Sequence, residues 1–291
     1  MQLPPTPALP PLTIGKHVTV NGARIWYAEW GASRKGTPVL LLHGGFANSN
    51  YFGNLIPVLI QQGYHVIAMD SRGHGRSSRT NEPITYHLMA SDVIALLNAL
   101  KVPKVSLVGW SDGGCIGYDM AIHDPARLAQ LFTFGANADV SGLNHSDNDS
   151  PVFSAYWVRV QKEYKLLSST PTEWPAFSAD IFRMWETLPA FTAGQLATIS
   201  VPTTIADGEY DDAIKVDHLK YIVATIPGAK LVILPNLGHI AMLQGPREFN
   251  AAVLDFLRDY HESEAPVHRS HGNRSRTFTS LEKQVNHKGE R

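Results

Sequence analysis

The stretch Val105 to Gly117, reading V-S-L-V-G-W-S-D-G-G-C-I-G, limits the possible folds more than any other part of the chain. A short apolar, β-branched run enters a turn at Gly109-Trp110-Ser111-Asp112-Gly113, and a small-residue segment with helical periodicity leaves it. A strand and a helix joined so tightly bring their backbones close together. Glycine two positions either side of Ser111 removes the β-carbons that would collide. The same turn strains the serine and exposes its hydroxyl at a helix N-terminus, where free N–H groups and the helix dipole favour developing negative charge.

Apolar runs and helical patterns alternate on both sides of this stretch. His17 to Val20 and Ala23 to Trp30 read as two strands about the hairpin turn Asn21-Gly22. Pro38 to Leu42, Tyr64 to Met69, Lys104 to Val108 and Leu128 to Phe134 are apolar on both faces, as buried parallel strands are. Helices are predicted over Tyr51 to Gln62, Thr85 to Leu100 and Gly113 to His123. The rhythm breaks at Asp139 to Ser150, a polar, turn-rich segment followed by two aromatic-rich helical patterns, Val152 to Leu167 and Pro175 to Leu188. It resumes with strands at Pro202 to Ala206 and Lys230 to Leu234 and helices at Asp217 to Thr225 and Pro246 to Tyr260. The expected architecture is α/β, a mostly parallel doubly wound sheet with a small helical cap inserted between strands. Its expected parts are an extended proline-rich arm (1–14), a core (15–138 and 191–260), the cap (139–190) and a polar tail (261–291) expected to be disordered.

Hydrophobic residues make up 44% and charged residues 18% of the 291, with a net charge of −1, which describes an ordinary globular chain. Such a balance gives no electrostatic reason to expect nucleic acid or an anionic membrane as partner. Met1 to Leu12 lacks the basic start and apolar core of a signal peptide, and no apolar run reaches membrane-spanning length, so a cytoplasmic location is expected. The single cysteine, Cys115, lies on the apolar face of the helix after Ser111 and is expected to be packing.

In doubly wound sheets, sites form beyond the carboxyl ends of the strands. His43-Gly44-Gly45, Ser111, Asp211 and His239 all follow predicted strand ends. A serine needs a base to take its proton, and the candidate is His239 in N-L-G-H-I. The candidate acid that orients the histidine is Asp211 in G-E-Y-D-D, with Asp212 as its rival. Oxyanion donors are expected from the backbone N–H of Asp112 and from the turn after His43-Gly44, either Gly45 or Phe46, with Gly45 favoured. Substrate contacts are expected from Asp112, Trp110, Trp157, Phe182 and Trp185, while Glu163, Arg159 and Arg183 read as solvated. His43, His74, Asp70 and Arg72 read as structural members of their loops. His65, His87, His123, His145 and His218 show no spacing that would hold a metal, so neither metal nor cofactor is expected.

The motifs L-L-H-G-G (41–45), D-S-R-G-H-G-R-S (70–77), G-W-S-D-G-G (109–114), G-E-Y-D (208–211) and G-H (238–239) resemble those of the α/β-hydrolase superfamily over roughly residues 15 to 260. Within it, G-W-S-D-G-G and the G-A-N-A at Gly135 to Ala138 are similar to the valacyclovir hydrolase (biphenyl hydrolase-like) branch. The resemblance implies a serine esterase with a nucleophile elbow, a catalytic triad and an oxyanion hole. It also implies that the Asp112 carboxylate binds a substrate α-amino group. From the residues alone, Asp112 equally suits a helix cap or a solvated position at the site entrance. The same triad would also serve an aminopeptidase, a carbon–carbon hydrolase, a perhydrolase or a small-molecule receptor. The expected partner is a small ester or aminoacyl substrate, and oligomeric state is not specified.

Overall fold

The computed structural model describes residues 3–11, 15–144 and 150–264. Its eight strands are β1 (Lys16–Val20), β2 (Ala23–Trp30), β3 (Val39–Leu42), β4 (Val66–Met69), β5 (Val105–Trp110), β6 (Leu128–Phe134), β7 (Thr203–Gly208) and β8 (Lys230–Leu234). They form one sheet in the order β1-β2-β4-β3-β5-β6-β7-β8. β2 pairs antiparallel with β1 and β4, and every pairing from β4 across to β8 is parallel. The β1–β2 turn has Asn21 at φ 46° and Gly22 at φ 74°, the backbone that a two-residue hairpin needs. Every residue of β3, β4, β5 and β6 is buried, which explains their unbroken apolar runs. β8 reads equally apolar but is the sheet edge, and Leu231 and Ile233 are partly exposed there.

The flanking helices are α1 (Ile56–Gln61), α2 (Tyr86–Ala99), α3 (Asp112–His123), α4 (Pro151–Leu167), α5 (Trp174–Thr187), α6 (Ala193–Leu196), α7 (Val216–Thr225), α8 (Ala241–Gln244) and α9 (Pro246–Glu264). Thr85 caps α2 by accepting from the Leu88 N–H at 3.0 Å. Cys115 is fully buried in α3, as its apolar face required. None of the described helices is long and apolar enough to cross a membrane.

Three expectations need correction. Tyr51 to Gln62 is not one helix but a 3-10 turn at Ser49–Phe52 followed by α1. Asn48 caps the turn, Pro57 sits in the first turn of α1, and Gly53 between them lies so close to the N-terminal arm that a β-carbon there would meet the Ala8 carbonyl at 2.6 Å. The last helix runs on to Glu264, four residues into the expected tail, and the rest of that tail lies outside the described residues. Arg159 and Glu163 are not solvated. On successive turns of α4, Arg159 donates to the Leu3 and Pro4 carbonyls, while Glu163 accepts from Thr6 Oγ1 (2.6 Å) and Asn48 Nδ2 (3.1 Å). The arm, which has few side chains able to make its own case in the sequence, is thereby held against α4.

Candidate active site

Ser111 sits between β5 and α3 at φ 53° and ψ −119°, a left-handed backbone that a residue with a β-carbon adopts only at a cost of about 1–3 kcal/mol. The glycines around it have the reason anticipated. A β-carbon on Gly109 would lie 2.3 Å from the Gly113 carbonyl oxygen, and one on Gly113 would lie 2.1 Å from that of Leu42. Gly44 packs on the serine itself, since a β-carbon there would meet Ser111 Cβ at 3.0 Å. His43 holds this turn from behind: the Ser71 N–H donates to its Nε2 (3.0 Å), so its proton is on Nδ1, which donates to the Gly44 carbonyl (2.8 Å). Burial pulls His43 below the ordinary histidine pKa, in keeping with a neutral ring. Asp70 ties the same region together by accepting from Ser49 N and Oγ and from Arg76, and the buried Arg72 is paired with Asp92.

His239 follows β8, and its Nδ1 donates to Asp211 Oδ2 at 2.6 Å. The other oxygen of Asp211 accepts from the backbone N–H of Ala213 (2.7 Å) and Ile214 (2.9 Å), so the carboxylate is held at both ends. Of the two neighbouring acids, it is Asp211 whose carboxylate meets the histidine. Burial raises the Asp211 pKa, but the positive field and hydrogen bond of His239 outweigh it and the net shift is downward. Asp207 nearby goes the other way: burial and then the charge of Asp211 push it well above the carboxylate range.

Gly135 at the end of β6 has a role that sequence reading missed. It has φ 58°, and a β-carbon there would lie 2.8 Å from His239 Nδ1 and 3.1 Å from Asp211 Oδ2. Its signal was only a strand-end glycine within G-A-N-A. Gly135→Ala is expected to displace the His239–Asp211 pair and lower kcat/KM at least about tenfold, with a lower Tm from strain at positive φ. Kinetics and thermal melting of the purified variant measure both effects.

Ser111, Asp112 and His239 line a cavity of about 610 Å³, within the range of small-molecule sites. Trp157, Phe182 and Trp185 line it as expected, joined by Phe46, Tyr86, Phe153 and Tyr156. Trp110 does not. It is buried, stacked on Tyr51 with ring centroids 5.3 Å apart, and its Nε1–H donates to the His239 carbonyl at 2.8 Å. It positions the histidine loop rather than the substrate. Trp174 also belongs to packing, at 5% exposure. Phe46, at φ 63°, is the centre of an aromatic cluster whose rings come from α4 and α5: Trp157, Trp174, Phe177, Phe182 and Trp185 all have centroids 5.1–5.8 Å from its own. Tyr156 Oη donates to the Gly45 carbonyl at 2.6 Å, fixing the peptide plane between Gly45 and Phe46.

The Asp112 side chain does not cap its own helix. It turns toward the cavity, where Oδ1 accepts from Tyr86 Oη (2.8 Å) and from Trp185 Nε1 (3.0 Å). Its Oδ2 lies against Gly45, 2.8 Å from where a β-carbon would stand. Both donors are neutral, and no described lysine or arginine forms an ion pair with it. Burial raises its pKa to about 6, against the pull of Tyr86, Trp185 and the His239 charge. Of the histidines read as structural, His74 Nδ1 bonds the Arg72 carbonyl (2.9 Å) and His218 Nε2 accepts from the Ala138 N–H (3.0 Å). His145 lies outside the described residues.

A strand order of this kind, with a strained serine after β5, an acid after β7 and a histidine after β8, is accompanied by a match of residues 37–186 to the family model described as alpha/beta hydrolase fold, and the chain belongs to that family. It is similar to serine hydrolase BPHL of Homo sapiens, at 29% identity over 260 residues that span 83% of this chain and 85% of that one. It is also similar to 3-oxoadipate enol-lactonase 2 of Acinetobacter baylyi, at 26% identity over 258 residues, 81% of this chain and 94% of that one. Among solved structures, a meta-cleavage product hydrolase from Pseudomonas fluorescens superposes with a TM-score of 0.70 at 21% identity, covering 84% of this chain and 98% of that one. That last likeness is one of fold.

Proposed function

We propose that the chain is a cofactor-independent serine hydrolase that cleaves carboxylic esters through an acyl-enzyme and prefers esters of α-amino acids. The observation that carries the reaction class is the 2.6 Å His239–Asp211 hydrogen bond opening onto the same cavity as the strained Ser111. Because Nδ1 of His239 carries the proton shared with Asp211, Nε2 is the basic nitrogen. Ser111 Oγ attacks the ester carbon as its proton passes to Nε2. The oxyanion is received by the N–H groups of Asp112 and Gly45, with the N–H of Phe46 adjoining. His239 protonates the departing alcohol, then takes a proton from the water that releases the acid. The helices α4 and α5 act as a cap, and Trp157, Phe182 and Trp185 give the acyl or alcohol group an apolar wall.

Preference for an amine follows from Asp112. A carboxylate held by two neutral donors beside Gly45 opposes the oxyanion unless a proton or a cation neutralises it. A substrate ammonium does so and gains a charge-assisted hydrogen bond in a site sheltered from water. The relative BPHL is named a serine hydrolase, which agrees with the reaction class. Steady-state assays with short p-nitrophenyl esters and amino-acid esters test the reading. Sustained multiple turnover is expected. A single slow turnover that leaves the product bound would overturn it in favour of a receptor, and lactone opening without ester cleavage would overturn the substrate class.

A further inference from the structure

Away from the cavity, the fold assembles a second group of chemistry-bearing side chains. His87 lies in the first turn of α2, and Asp119 and His123 lie one turn apart near the end of α3. Packing of α2 against α3 brings the three together, which their separation along the chain concealed. One ligand atom from each lies within 4.8 Å of the other two. Asp119 Oδ1 is 3.0 Å from His87 Nδ1, Oδ2 is 3.9 Å from His123 Nε2, and the two imidazole rings stand 5.1 Å apart at 77°.

We propose that His87, Asp119 and His123 form a surface binding site for a divalent transition-metal ion of the Zn²⁺ type. Two imidazoles and one carboxylate are ligands that Zn²⁺ takes readily, with solvent completing the tetrahedron. Metal–ligand bonds of about 2.0–2.2 Å place tetrahedral ligand atoms about 3.3 Å apart. The His87–Asp119 pair already stands near that spacing, and the 3.9 Å His123–Asp119 gap closes with a small rotation of the histidine. The Asp119 side chain is only 5% exposed, while those of His87 and His123 are 69% and 42% exposed and open to solvent. Burial first and the neighbouring negative charge of Asp124 last raise the Asp119 pKa, against the pull of His87 and His123. A dication there would compensate the Asp119 carboxylate. The ion would clasp the start of α2 to the end of α3. Tyr86, the residue before His87, is the one whose hydroxyl holds Asp112 in the cavity.

The test is calorimetric titration of chelator-stripped full-length protein with ZnCl₂ in a non-coordinating buffer near neutral pH. One Zn²⁺ per chain and a raised Tm are expected. His87→Gln and His123→Gln should each weaken binding by about tenfold or more, because each deletes a ligand. Ester turnover in the presence of chelator should be unchanged in both. His239→Gln serves as the control for metal captured by the His239–Asp211 pair and should leave the titration unaltered. Binding that survives both His87 and His123 substitutions, binding lost only in the His239 variant, or no stoichiometric uptake would each overturn the site.

Discussion

Ser111→Ala is expected to lower ester turnover by about 10⁴-fold or more, leaving only what substrate binding and oxyanion donors supply without a nucleophile. The fold should not suffer. Alanine keeps the β-carbon that already stands at φ 53°, so the strain is unchanged and only a hydroxyl facing the cavity is lost. Ser111→Gly makes a useful companion. It is equally inactive on this account, but glycine adopts positive φ freely, and the variant should gain of the order of 1 kcal/mol in stability. Turnover and thermal melting of the two variants separate chemistry from fold. Activity retained by either would remove Ser111 from the mechanism.

Asp112→Asn has the second large effect, on specificity rather than on the reaction itself. Asparagine keeps the size and can still accept from Tyr86 and Trp185, but it has no charge to offer an ammonium. At pH 7, where an α-amino group is still largely protonated, the ratio of kcat/KM for an α-amino ester to that for its des-amino analogue should fall by about 10- to 100-fold, the worth of a charge-assisted hydrogen bond. In the wild type that ratio should also fall as pH drops through about 6, because the buried carboxyl takes up a proton there. Using the ratio cancels pH effects on the reaction itself, which act on both substrates alike. Stability follows with the opposite sign to that of an ordinary paired aspartate. The folded pKa is raised from 3.8 to about 6, so the folded state binds the proton more tightly than the unfolded chain. Stability from this group is full below about pH 3.8 and is lost as pH rises through 6, a penalty of roughly 3 kcal/mol at pH 8. Asp112→Asn should therefore be more stable than the wild type at pH 8 and gain little at pH 4. A ratio unaffected by the substitution, or by pH, would show that Asp112 does not meet the amine.

How much of this was legible in the sequence depended on whether a residue's role is local. The order of the strands, the hairpin at Asn21-Gly22 and the glycines about Ser111 follow from short-range sterics and from apolar periodicity, and they stand where expected. Asp211 and His239 were legible because strand ends in a parallel sheet converge on one edge. Residues whose roles depend on distant parts of the chain were not. Trp110 was expected at the substrate, but its side chain turns into the core, where its N–H reaches a carbonyl far away in sequence. Gly135 carries no side chain to suggest chemistry, and its value is the space it leaves for His239. Arg159 and Glu163 read as surface charges because nothing local indicates that the proline-rich arm folds back over α4. The His87–Asp119–His123 cluster was hidden for the same reason, as it exists only once α2 lies on α3.

The central claim is that Ser111 becomes acylated with His239 and Asp211 behind it. Intact-protein and peptide mass spectrometry after rapid acid quench of the enzyme with a slowly deacylating p-nitrophenyl ester tests it most directly. The account predicts one acyl group per chain, on Ser111, accumulating with a burst of p-nitrophenol and absent from Ser111→Ala. Acylation at another residue, or full turnover with neither burst nor adduct on Ser111, would contradict it.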